Sequence, residues 1–97
     1  MDLNELWRNI LGELQVTVSK ANFETWFKNT FIYERKKEVF TIGVPSIFIE
    51  DWLKKKYLKD LQKTIQNQTG ESNPVIKFKT AVPKPEQLIV FEKNKLM

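Results

Sequence analysis

The chain has 97 residues, room for one small domain with a real core, since 41% of it is hydrophobic and 12% aromatic. It contains no cysteine and no histidine, which excludes disulfides and thiolate metal sites and removes the usual general base and the commonest metal ligand. The net charge of +4 permits contact with nucleic acid or another acidic partner without demanding it.

The opening "MDLNELWRNI" has no basic segment followed by an apolar stretch, so it does not read as a secretory signal. No apolar run approaches the ~20 residues needed to span a bilayer. A soluble cytoplasmic protein is the expectation. Asp2 is placed to cap a first helix, with Glu5 at capping-box spacing. Leu3, Leu6, Trp7, Ile10, Leu11 and Leu14 recur at steps of three and four and form a broad apolar stripe. Trp7 falls off the centre of that stripe, and Gly12 on its polar side. The spacing predicts a second helix over "SKANFETWFKNT", with Ser19 as N-cap. Phe23, Trp26 and Phe27 share one face of it, and Lys20, Glu24 and Lys28 populate the other.

Two strand-like runs follow, Thr30–Tyr33 and Val39–Val44. They flank a charged "ERKKE" segment and predict a hairpin with a loop longer than two residues. Phe40, Ile42 and Val44 alternate inward, with Thr41 outward. Pro45 ends the strand and Ser46 can cap a third helix. Its apolar residues make two stripes, Ile49–Trp52–Leu53 and Tyr57–Leu58–Leu61–Ile65. On one straight helix these differ by roughly a third of a turn at about 100° per residue, so a kink or short break is expected near Lys54–Lys56. Gly70 stops the helix. "PVIKFKT" is a third, amphipathic strand, and "AVPKPEQ" reads as a linker. The closing "LIVFEKNKLM" is a weak extra strand, a docking motif or a disordered end. The order α-α-β-β-α(α)-β predicts an α+β domain over residues 1–80, with helices packed on a three-stranded sheet, and a linker or flexible tail over 81–97.

Little here supports catalysis. The carboxylates of Glu5, Glu13, Glu24, Glu34, Glu38 and Glu50 fall on polar faces or turns, and none pairs with another in a way that would raise a pKa. No phosphate-cradling G-x-x-x-x-G-K-[ST] is present. No cofactor is expected. "KKKYLKDLQK" lines up Lys56, Lys59 and Lys63 on one helical face, with Lys55 nearby. That strip is either a solvated face or a weak, salt-sensitive contact for single-stranded nucleic acid. A domain of this order is similar to the KH family of nucleic-acid modules, which clamp a backbone with a G-x-x-G loop between helices. The corresponding turn here, "LKKKYL", has no glycine, so only the fold analogy remains. Trp26, Trp52, Phe40 and Phe78 sit at stripe centres and are expected in the core. Phe48 lies about 100° off the line through Ile49, Trp52 and Leu53. Phe48 and Trp7 are each either ordinary packing or a contact for a partner.

Together, "LW" in the first helix, "SKANFETWFKNT" in the second and "VPSIFIEDWLKKKYL" after the hairpin resemble the N-terminal domain of the bacterial replication initiator DnaA. The elements F-x-x-W and F-x-x-D-W-[LV]-x-x-x-Y-L occur in that domain's order, and "PVIKFKT" falls where it has its last strand. The resemblance spans about residues 3–80. It implies a KH-like fold and an interaction hub without catalysis, serving self-association, recruitment of the replicative helicase and docking of regulators. By resemblance, Trp7 with Leu6 belongs to self-association and Phe48 to helicase contact. Asn22 matches a helicase-contact position that is acidic in some members, so the amide is a departure. Asn22, Thr25, Phe48 and Glu50 match the region where regulators dock. The chain is then an excised domain with the start of its linker, or a stand-alone paralogue.

Overall fold

A computed structural model of the chain describes residues 2–88. Helix α1 runs Leu3–Thr17 and starts where expected: the Asp2 carboxylate accepts the Glu5 backbone N–H at 2.7 Å, satisfying one of the helix's orphan donors. Helix α2, Lys20–Phe27, is capped by the Ser19 hydroxyl, which accepts from the Asn22 N–H. Strand β1 covers Phe31–Lys36 and β2 covers Val39–Val44. Helix α3, Ile47–Trp52, starts at the Ser46 cap. A π-helical turn, Leu53–Tyr57, joins it to α4, Leu58–Thr69. Gly70 ends α4 in the left-handed region, at φ 80°, where glycine has no Cβ to clash. Strand β3 is Val75–Thr80.

The sheet has the order β1-β2-β3. β1 and β2 are antiparallel, whereas β2 and β3 are parallel, because a helical crossover separates them. All four helices contribute to one core on a single face of the sheet. Trp7, Ile10, Leu14, Phe27, Phe40, Ile42, Val44, Leu53, Leu61 and Ile65 are fully buried there. This is the α+β arrangement expected from the order of elements.

The hairpin departs from expectation. Glu34, Arg35 and Lys36 are strand residues, and only Lys37 and Glu38 form the turn. Lys37 takes φ 55°. The pairing register shifts between Ile32 and Glu34, so Tyr33 is an extra residue in β1. Arg35 is held by its surroundings despite its charge: its guanidinium lies 4.7 Å from the Phe40 ring centre and 3.2 Å from Glu71.

The offset between the two apolar stripes of α3 and α4 is resolved by the π turn. A π turn carries about one residue more than an α turn, so the chain beyond it lags by about 100°. That lag is the third of a turn by which the stripes differ. Leu53 before it and Leu61 and Ile65 after it all reach the same core. α4 is fastened to α1 at its far end, where Asn67 and Gln68 donate to the Glu13 carboxylate at 2.8 and 3.0 Å. These two bonds hold the Glu13 pKa below the usual carboxylate range, against a smaller opposing effect of desolvation.

After β3 the chain stays in contact with the domain. The Ala81 N–H donates to the Val44 carbonyl, Pro85–Gln87 form a short 3-10 turn, and the Asn4 side-chain amide donates to the Glu86 carbonyl at 2.7 Å. Residues 89–97, most of the closing segment, lie outside the described residues. Among the described residues no helix is long and apolar enough to cross a membrane.

Candidate functional site

Helices α2 and α3 meet through aromatic rings. Trp26 stacks on Trp52 with ring centres 4.7 Å apart and planes 18° apart. Phe48 leans on Trp26 at 5.7 Å. Sequence spacing placed both tryptophans in the core, but each is only half-buried, and Trp26 packs at the core's margin. Phe48 stands out of the cluster at 66% exposure, and its neighbour Ile47 at 64%. The Ser46 cap fixes the start of α3, since its hydroxyl accepts the Ile49 N–H. Six residues of helix then leave Ile47 and Phe48 on the side that the core does not use. An exposed aromatic on a rigid aromatic floor loses little conformational freedom when a partner covers it.

Polar groups surround this patch. Asn22 and Thr25 are exposed on α2, and the Thr25 hydroxyl donates to the Ala21 carbonyl at 2.7 Å. Glu50 accepts from Lys54 at 2.8 Å. The pair raises the Lys54 pKa, chiefly through that hydrogen bond and the Glu50 charge, with Asp51 adding to it. On the alkaline side the ammonium therefore stays charged through the usual lysine range and is lost as pH rises above it. Lys56 sits 5.7 Å from the Trp52 ring centre. The Trp52 indole nitrogen is buried without a hydrogen-bond partner. Ile47 was not singled out by sequence reasoning. Its position beside Phe48, before the stripe of α3 begins, was the available signal.

The structure corrects the placement of Trp7. It is 0% exposed and Leu6 is 3% exposed, so neither side chain reaches the surface of this fold. The Trp7 indole donates to the Thr30 hydroxyl at 3.1 Å. That buried hydroxyl supplies the polar partner that lets a tryptophan sit at the centre of a core. The accessible side of α1 carries Glu5, Arg8, Gly12 and Val16 instead.

The lysine strip is divided. Lys55 and Lys56 lie in the π turn, whereas Lys59 and Lys63 lie in α4, so the lag at the turn takes Lys56 off the line of the other two. Lys56 attends Trp52. Lys63 borders a hollow shared with Glu13, Asp60, Thr17 and Thr64, where acidic side chains offset its charge. No group of three acidic side chains suited to a metal ion occurs among the described residues.

Residues 4–67 match the family model described as the DnaA N-terminal domain. The chain belongs to that family. Its role is accordingly in the initiation of DNA replication, and the domain is of the protein-interaction kind. The match includes α1, α2, the hairpin, α3 and most of α4, and with them every residue of the aromatic patch.

Proposed function

We propose that this domain recruits the replicative helicase and docks replication regulators through the surface formed by Phe48, Ile47, Trp26 and Trp52, with Asn22, Thr25 and Glu50 as its polar rim. The observation that carries the reading is Phe48, two-thirds exposed and seated on a stacked tryptophan pair. Isolated contacts of this size are weak. Copies gathered at an origin raise the effective concentration and make recruitment stable. Self-association runs through α1. Leu6 and Trp7 set the position of that helix from within, and its outward side, with Gly12 and Val16, meets the second copy. The domain needs no catalysis or cofactor of its own for these roles.

Phe48→Ala tests the reading. In a pull-down with purified replicative helicase, the variant loses at least tenfold in affinity, the size of effect expected for truncating an aromatic anchor. Its melting temperature stays within a few degrees of the parent. Unchanged helicase binding would rule this surface out as the contact.

A further inference from the structure

The chain does not leave the domain where β3 ends. In the order β1-β2-β3, β3 and β1 are opposite edges of the sheet, yet the residues after β3 reach β1. The Ala81 N–H donates to the Val44 carbonyl at 2.9 Å and so extends the β2–β3 pairing by one bond. Beyond it, Val82, Lys84 and Gln87 border a hollow of about 360 Å³ together with Phe31, Tyr33 and Glu34 of β1. The Glu86 carbonyl then accepts the Asn4 side-chain amide, on the first turn of α1, at 2.7 Å. The segment therefore crosses the end of the sheet from one edge to the other.

The crossing piece holds its own shape. Pro83 and Pro85 each fix a backbone φ. The Gln87 carboxamide oxygen accepts the Lys84 N–H at 2.8 Å, and the Gln87 N–H donates to the Lys84 carbonyl at 2.8 Å. A piece shaped in advance loses little freedom on docking. Its grip is nevertheless slight. Val82 is 89% exposed and Leu88 48%, so little apolar surface is covered. Among the described residues, the Asn4 amide supplies the side-chain bond from this piece to the rest of the domain. The Asn4 carbonyl oxygen is buried without a partner, which offsets part of what that bond contributes.

We propose that residues 82–88 are a strap balanced between a docked and a free state, with the Asn4 amide as its catch. Docked, the strap makes the following chain leave the domain beside β1 and the start of α1. Free, it lengthens the tether by its own extent, about 25 Å when fully extended. Tether length governs the effective concentration of linked partners, so the catch sets how far the chain beyond it reaches. One bond of this kind tilts such a balance by roughly five- to tenfold. A partner that takes the Asn4 amide is therefore enough to release the strap. None of the residues of the aromatic patch is involved, so either reading can fail without the other.

The test is nitrogen-15 relaxation of the 97-residue chain, with endoproteinase Glu-C digestion beside it. In the parent, Glu86, Gln87 and Leu88 have backbone order parameters like those of β3, about 0.85. Asn4→Asp keeps the shape of the side chain, and a carboxylate is favoured in the first turn of a helix, but it cannot donate to the Glu86 carbonyl. In that variant the three order parameters fall below about 0.6. Cleavage after Glu86, identified by mass, speeds up roughly five- to tenfold, since proteolysis follows the open population when opening is fast. Asn4→Ala does the same without adding a charge. Gln87→Ala unmakes the strap's own turn, leaves α1 untouched and also releases it, so the result does not hinge on the stability of α1. Melting followed by circular dichroism accompanies each variant. Order parameters below about 0.6 in the parent overturn the proposal, because the segment is then free throughout. So do unchanged values in the two Asn4 variants, which would mean that Asn4 is not the catch.

Discussion

Trp7 illustrates how periodicity can leave the role of a single residue open. Off the centre of a broad stripe, ordinary packing and contact with a partner are equally open. What decides the outcome is Thr30, 23 positions away, which no local pattern reveals. Residues whose partners are local were legible: the caps Asp2, Ser19 and Ser46 each accept the N–H three residues on, and Gly70 ends its helix as its type predicts. Trp26 and Trp52 were read as core because stripe position does not say how far a neighbouring element extends over a ring. Burial makes Trp7→Ala a test of stability. The substitution removes a large, fully buried side chain and the bond its indole donates to Thr30, whose hydroxyl keeps its own bond to the Phe27 carbonyl, at a cost of about 3–5 kcal/mol. Chemical denaturation followed by circular dichroism measures this. A loss below about 1 kcal/mol would show that the cavity collapses without penalty. Any self-association defect in that variant then needs comparison at matched folded fraction.

At the level of elements, the helices and the alternation of β2 were plain in the sequence, and so was the phase error between α3 and α4. The form of the correction was not, since a kink, a break and a π turn all relieve the same mismatch. The hairpin was misjudged because charged residues mark loops only when nothing pairs them. Here Arg35 has both Phe40 and Glu71. The π turn gives a sharp prediction. Removing one of its lysines, as in deletion of Lys55, takes out the extra residue and leaves every core residue of α3 and α4 in phase. The variant folds, with a melting temperature within a few degrees of the parent. Deleting Gln62 instead rotates Ile65 and the Glu13-binding amides of Asn67 and Gln68 by about 100°, and cooperative melting is lost. Thermal scans of the two deletions check this. Equal damage in both would mean that the π turn is not the site of the surplus residue.

For the whole molecule, the region matched to the family ends at residue 67, before β3, but the fold does not end there. β3 covers the second edge of β2, and its Ile76 and Phe78 pack against the core. A chain ending at Gly70 loses that ladder and two large apolar side chains, each worth about 1.5–3 kcal/mol when fully buried. Against a typical net stability of about 5–15 kcal/mol, losing these side chains together with the whole β2–β3 ladder removes a large share from the shortened chain. Its far-ultraviolet spectrum should show no cooperative melt, whereas a chain ending at Leu88 melts as the parent does. A sharp, unshifted transition in the shorter chain would make β3 an accessory. One further consequence of the π turn is genetic. Lys54, Lys55 and Lys56 are identical neighbours, so losing any one codon yields the same protein. The π-turned and the regular form of this helix therefore lie one in-frame deletion apart.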